Sequence, residues 1–424
     1  MIFRIHLRST PLRHAFLPIM AVGLLVLYNR PTYWVGIWPE TGAAVAVSAF
    51  FMSLFVAGSS AWAAARLELM DVRALAAART NRRLFVEGNL WAAALFWLTA
   101  PLLAVAALAA ATTAASGVQA GFPSFVGYGI LGLLLVWLAG AWGWIVGRLL
   151  EPLVAALAAA LSWFIIGSLA GEITGATPVS GPPWIALQAS ALVLRSSAAL
   201  LLIVTIVALT GRSEDQRSRL KGAAFVAVAA LVVAASHVAL PVQQPRSPVA
   251  SPLCVNGHIE YCLWPEHEKY VPLIRQVDAE VGAVPLDLPL PPKIVDYSLS
   301  GSTQWIDGNQ VELPGEYAPE FDISEGSRWA LARGVAKAIT RSVLSTCERS
   351  AAIEDPAHHW DLLLAWLEVR LAGGGSPDYT TNAPANIQAA WFEARRVSVE
   401  LNDAQQAAWA VSVIDGHQKY CSGA

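Results

Sequence analysis

The side chains best suited to chemistry are gathered late in the chain, where Cys254, His258, Cys262 and His267 share one short stretch and His358 adjoins His359. Cysteine and histidine are ligand types that zinc takes, but this spacing matches no familiar finger. Disulfide chemistry is the competing use. All four cysteines, Cys254, Cys262, Cys347 and Cys421, lie in the second half and none in the apolar first half, the distribution of a domain in an oxidising compartment, which also argues against thiolate ligands. Pairing of Cys254 with Cys262, closing a small loop, and of Cys347 with Cys421, tying one helix end to the last helix, is expected. His358 and His359 invite a metallopeptidase reading. There is no H-E-x-x-H, and adjacent positions on a helix point about 100° apart. Ser, Asp and His are present without a G-x-S-x-G elbow, and no G-x-x-x-x-G-K-[ST] loop is present to cradle ATP phosphates. No catalytic residue, resident cofactor or metal is expected.

The elements that must position these groups divide the chain in two. A composition of 55% hydrophobic and 14% charged residues with 17 Trp, and a mean hydropathy of +0.49, exclude an ordinary soluble enzyme. The net charge of −3 is split as +7 before Pro241 and −10 after it. Two bodies in two compartments explain that split. The expected architecture is an all-α polytopic membrane domain over 1–241, a Pro-rich linker over 242–252 and a mainly α extracytoplasmic domain with a few short strands over 253–424.

Apolar runs near 15–28, 43–65, 88–111, 125–147, 152–171, 184–209 and 222–240 approach the roughly 20 residues that cross about 30 Å of hydrocarbon, giving about seven spans. The loops alternate in charge. Residues 1–13 carry Arg4, Arg8 and Arg13; 66–87 carry Arg66, Arg73, Arg79, Arg82 and Arg83; 212–221 are basic again, whereas 112–124 are uncharged and 172–183 hold no basic residue. The positive-inside rule then places the N-terminus in the cytoplasm of a bacterial cell and everything after Pro241 outside the plasma membrane. Tyr28, Tyr33, Trp34 and Trp38 form an interfacial belt after the first run, with no small-residue cleavage site, so that run reads as a span rather than a signal peptide.

Gly140, Gly143 and Gly147, and Gly167, Gly171 and Gly175, place small residues at four-residue spacing or close to it, which reads as packing seams between helices. Arg195 falls near the middle of the sixth span, where a guanidinium is costly and normally meets a partner or a watery cavity. Glu172 is the acidic candidate. The Gly- and Pro-rich loop after it, GEITGATPVSGPP, cannot form a long helix and is suited to dip back or cap the outer end.

The run AWAAARLELMDVRALAAARTNRRLFVEGNLWAAALFWLTAPLLAV, 61–105, resembles the second and third spans and connector of ABC transporter permeases of the type-2, exporter-like class. The resemblance implies that the connector holds a coupling helix docking on a separate ATP-binding subunit, through Arg66, Glu68, Asp71, Arg73, Arg79, Arg82, Arg83 and Glu87. It also implies an extracytoplasmic element where GEITGATPVSGPP stands, and pairing with a second permease copy or paralogue. ATP would be bound by the partner subunit. The expected partners are therefore that subunit, the second permease and the lipid bilayer, with no nucleic acid. The resemblance covers about half the chain and departs from the family in two respects: six spans are usual, and a large outer domain is not part of the common core. The tail, with Cys254, Cys262, Leu263–His267, Trp391, Trp409 and Cys421, is similar to that of permease-like chains of actinobacterial type. The competing function is a membrane-anchored sensor or assembly factor.

In the outer domain the sequence predicts helices over 266–281, 324–346, 358–372, 386–399 and from Asn402 onward, and strands over 293–297, 304–306 and 310–313. Ser324 is the expected cap of the second helix, Gly373 its successor's stop, and Asn402 with Gln405 a capping-box pair. The recurring Trp329, Trp360, Trp366, Trp391 and Trp409 are expected in the core.

Overall fold

A computed structural model describes residues 7–8, 10–69, 83–174, 180–210, 241–300, 303–306, 309–312, 319–323, 326–344, 358–373 and 385–422. The chain forms two compact units, Met1–Arg246 and Ser247–Ala424.

The first unit is helical: α1 Phe16–Leu27, α2 Trp38–Leu69, α3 Arg83–Ala114, α4 Phe122–Val146, α5 Pro152–Thr174 and α6 Ala189–Thr210. Among the described residues three segments, Trp38–Arg66, Trp91–Ala114 and Phe122–Val146, are long and apolar enough to cross a membrane, and Leu12–Leu27, Pro152–Ser168 and Ala189–Thr205 are shorter apolar helices. The expected seventh span, 222–240, lies outside the described residues. The sixth begins later than expected. Residues Ile185–Leu187 form a strand, β1, paired antiparallel with β2, Gln243–Pro245; Pro182 and Pro183 precede it and supply no backbone N–H to continue a helix. The first residues of the expected linker thus belong to the first unit. Arg246 completes the stitch, its backbone N–H donating to Trp184 O at 2.8 Å and its Nη1 to Pro183 O at 3.2 Å.

The glycine seam predicted in α4 packs onto α2. A Cβ placed on Gly143 would lie 2.1 Å from Ala57 O and one on Gly147 2.2 Å from Ala61 O. Only hydrogen fits between these backbones, so the two helices run side by side in the same direction. Phe50 meets Phe164 (6.3 Å) and Trp163 donates to Ser53 Oγ (2.8 Å), which sets α5 antiparallel to α2. Trp137 donates to Thr99 Oγ1 (2.8 Å), and Trp91 packs on Trp144 (5.1 Å), which sets α3 antiparallel to α4. Thr41 and Thr113 hydroxyls, 2.7 Å apart, close α2 against α3 at the opposite end. One end of the bundle therefore holds Arg8, Arg13, Arg66 and Arg148, and the other holds Trp34, Trp38, Glu40, Ser180 and Gln243.

Among the described residues the second unit combines a four-stranded sheet with five helices. The sheet order is β3 (Leu253–Asn256), β4 (Glu260–Leu263), β5 (Lys293–Asp296), β8 (Glu320–Phe321). β3 and β4 are antiparallel, whereas β4–β5 and β5–β8 are parallel. The strands β3 and β4 were not predicted. β6 (Thr303–Ile306) and β7 (Asn309–Glu312) form a separate antiparallel pair, in the predicted place. The helix predicted over 266–281 divides into a 3₁₀ segment, Pro265–Tyr270, and α7, Val271–Gly282. Pro272 within the first turn of α7 explains the break, since it has no N–H to donate to a carbonyl of the turn before it. Ile274, Val277 and Val281 bury one stripe of α7, which crosses from β4 to its parallel neighbour β5.

The remaining helices are α8 Arg328–Val343, α9 His359–Ala372, α10 Ala385–Glu400 and α11 Asp403–Cys421. The cap of α8 is Ser327 rather than Ser324, its side chain accepting from Ala330 N; Ser324 lies outside the described residues. Gly373 ends α9 with φ of 77°, a conformation open to glycine without strain. Asn402 and Gln405 form the predicted capping box. The helix α9 is buried on nearly every face and is the central element of this unit, with Leu363, Trp366, Leu367 and Leu371 in its core.

Replacing Gly143 or Gly147 by alanine is expected to destabilise the first unit by roughly 1–3 kcal/mol, the usual cost of overpacking. Gly129→Ala in the same helix, where an added Cβ meets nothing within 4 Å, should leave the thermal midpoint in detergent unchanged. Equal midpoints for all three variants would overturn the α2–α4 contact.

Candidate functional site

The predicted coupling region begins at the basic end of the first unit. Arg66 is exposed and stacks over the Trp62 ring at 4.3 Å, a cation–π contact that holds its charge beside an aromatic ring suited to the interface. Glu68 lies on the last turn of α2, and Arg83 and Glu87 on the first turns of α3. Asp71, Arg73, Arg79 and Arg82 lie outside the described residues. α4 ends at Val146, level with Ala61 of α2 and Trp91 of α3. Both α2 and α3 run about eight residues past that level, roughly 12 Å at 1.5 Å per residue. Two helices of equal overhang thus extend beyond the end of their neighbour.

Arg195 sits in α6 with 3% of its surface exposed. Glu172 lies in the last turn of α5; its side chain is outside the described set.

A buried polar clamp at the opposite end was not predicted. Glu40, 5% exposed, accepts hydrogen bonds from Ser180 Oγ (2.9 Å) and Gly181 N (3.1 Å). Tyr33 Oη lies 2.8 Å from Ser180 Oγ. Gln243 Nε2 donates to Tyr128 Oη (2.8 Å) and to Ser180 O (3.1 Å). A Cβ on Gly181 would lie 2.5 Å from Pro39 O, so only glycine permits this approach. The end of GEITGATPVSGPP therefore caps the bundle, tied to α2, α4 and β2. The available signal was Glu40 itself, an acid opening an apolar run, which needs donors when buried.

In the second unit the four clustered Cys and His residues go to separate partners. Cys254 and Cys262 form a disulfide across the β3–β4 pair. Glu260 is close enough to join them in a three-ligand set, but sulfurs joined in a disulfide are not thiolate ligands. Cys421 is also disulfide-bonded, and Cys347, its expected partner, lies outside the described residues. His258 turns to Asp278 of α7, Nδ1 to Oδ2 at 3.1 Å. His267 is buried against Asp296, Nδ1 to Oδ2 at 3.3 Å, while Ser298 Oγ donates to the other carboxylate oxygen at 2.6 Å and Trp264 Nε1 donates to Ser298 Oγ at 2.7 Å. The order is Ser–Asp–His rather than Ser–His–Asp. No imidazole faces the hydroxyl to take its proton, and with His267 1% exposed a substrate cannot reach it. This cluster fastens the 3₁₀ segment to β5. His358 is exposed beside Asp361 (3.7 Å) and His359 packs near His417 (6.5 Å), so the two histidines diverge as predicted.

Glu368 is the chemically distinctive residue of α9. It is 4% exposed, and its Oε1 has no hydrogen-bond partner among the described residues. Burial raises its pKa from 4.5 to about 7, with Arg333 pulling the other way. No known protein family, curated protein or solved structure matches the chain.

A carboxyl pKa raised on folding makes the folded state bind more protons than the unfolded one between the two values. Stability from Glu368 is thus full below about pH 4.5 and falls as pH rises toward 7, in total on the order of 3 kcal/mol. Glu368→Gln should flatten this fall in the unfolding midpoint of the second unit, followed by tryptophan emission of the full chain. An unchanged slope would show that Glu368 ionises normally.

Proposed function

We propose that the chain is the membrane-spanning permease subunit of an ABC-type exporter in a bacterial plasma membrane. It crosses about seven times, with the basic end cytoplasmic and the second unit extracytoplasmic. The observation that carries the reading is the paired overhang of α2 and α3 at the basic end. Helix ends that reach beyond their neighbour are accessible to a soluble ATPase, and the charge of the sequence at and between them, Arg66, Arg73, Arg79, Arg82 and Arg83 with Glu68, Asp71 and Glu87, offers complementary contacts to that partner.

Closure of an ATPase pair pushes on the connector, and α2 and α3 carry the displacement into the bundle. Because α4 is locked to α2 at Gly143 and Gly147, it moves with α2 as one body. The Glu40 clamp joins that body to the cap and β2 at the far end. ATP is held by the partner, and this chain supplies no catalytic residue. The Gly143 seam is consumed within the chain, so a second permease copy meets other faces, such as the exposed Val193, Leu201 and Val204 of α6. The second unit receives or releases cargo.

Charge reversal at Arg79, Arg82 and Arg83 is expected to abolish recovery of a nucleotide-binding ATPase in a mild-detergent pull-down on the C-terminus, with membrane insertion retained. Loss of about 1 kcal/mol per surface pair, compounded over three charges, lowers affinity by roughly two orders of magnitude. Recovery of no ATPase by the unaltered chain would move the function to the second unit, with the spans as its anchor.

A further inference from the structure

An apolar cleft of about 510 Å³ opens between α1, α2 and α5, lined by Ala15, Pro18, Ile19, Leu54, Phe55, Gly58, Ser59, Ala160, Leu161 and Phe164. The hydroxyl of Ser59 is turned back on its own helix, donating to Phe55 O at 2.7 Å. Gly58 opens the floor, where a Cβ would come within 3.1 Å of Ala156 O. Leu161 and Phe164 on the rim are well exposed. In a bilayer such a cleft faces acyl chains.

Its mouth is basic. Ala15 follows directly on Arg13 and His14, both exposed, and Arg8 is exposed one turn earlier. This segment is fixed in place. Leu12 is buried, Arg13 Nη1 donates to Arg8 O (2.9 Å), and Trp97 Nε1 donates to Leu7 O (2.9 Å), which ties the segment to α3. A positively charged ledge is therefore held at the edge of an apolar slot in a helix bundle of membrane-spanning composition.

We propose that this slot seats one acyl chain of an anionic phospholipid, with its phosphate on the Arg8–Arg13–His14 ledge. Apolar contact alone does not select an occupant, because a lipid tail gains little on leaving other tails for a protein wall. Headgroup charge supplies the selection, and the slot fixes where the selected lipid stays. The inference needs only that these helices lie in a membrane and is independent of the exporter reading.

The test is native mass spectrometry of the full chain in detergent, with phosphatidylglycerol or phosphatidylcholine added in turn. Retention of phosphatidylglycerol over phosphatidylcholine is expected, and Arg8→Gln with Arg13→Gln should reduce it roughly tenfold or more, as expected for two charges at a membrane surface. Ser59→Trp, which fills the slot and leaves the ledge intact, should reduce retention similarly; Leu161→Trp serves if Ser59→Trp does not fold. Equal retention of both lipids overturns the headgroup site. Undiminished phosphatidylglycerol on the filled variant overturns the slot, as does a loss of dimer mass in place of lipid, which would make the slot a contact between two copies.

Discussion

The first unit depends on the approach of two backbones. Where Gly143 and Gly147 face Ala57 and Ala61, the carbonyl oxygens of α2 stand where side chains would otherwise be. In hydrocarbon, helices gain little from burying apolar surface against each other, so close packing and a few hydrogen bonds must hold the bundle. α2 is the helix that the others use for this. α4 lies along it in parallel; α5 docks through Trp163 and Ser53, α3 through Thr113 and Thr41, and α1 through Gly23, where a Cβ would strike Met52. Removing the α2–α4 contact would free α4, with Tyr128, from the helix that carries Glu40.

Much of this was legible because it is local or periodic. Helix positions, the four-residue glycine spacing, the capping box at Asn402 and the stop at Gly373 each follow from residues within a few positions of one another. The loop charges similarly foretold which helix ends gather the basic residues. The misses share a cause. β1 exists only because Gln243–Pro245 returns to pair with it, and an apolar Trp-Ile-Ala-Leu run before a helix reads as more helix. The strands β3 and β4 carry the Cys254–Cys262 disulfide, whose short loop was legible while its strand geometry was not. Glu40, His267 and Glu368 were invisible as a site because their surroundings come from remote segments.

The polar groups divide by what they can do. The Trp264–Ser298–Asp296–His267 chain is sealed and hydrogen-bonded at each link, which suits fastening rather than turnover. Glu368 is sealed with an oxygen lacking a partner in the described structure, which makes the central helix of the second unit sensitive to proton concentration near neutrality. The stitch of Gln243–Pro245 beside Ile185–Leu187 makes the chain leave the first unit at the Glu40 end.

The Glu40 clamp also bears on the order of biogenesis. The donors on Ser180 and Gly181 lie 140 and 141 residues later in the chain, and Gln243, which braces Ser180, comes later still. At roughly 5–20 residues per second of synthesis, Glu40 waits on the order of ten seconds or longer for these donors. During that interval its carboxylate must remain at the aqueous boundary, since burial without donors is costly. The early helices therefore assemble with this end open, and it closes after the residues around Gln243 have been made.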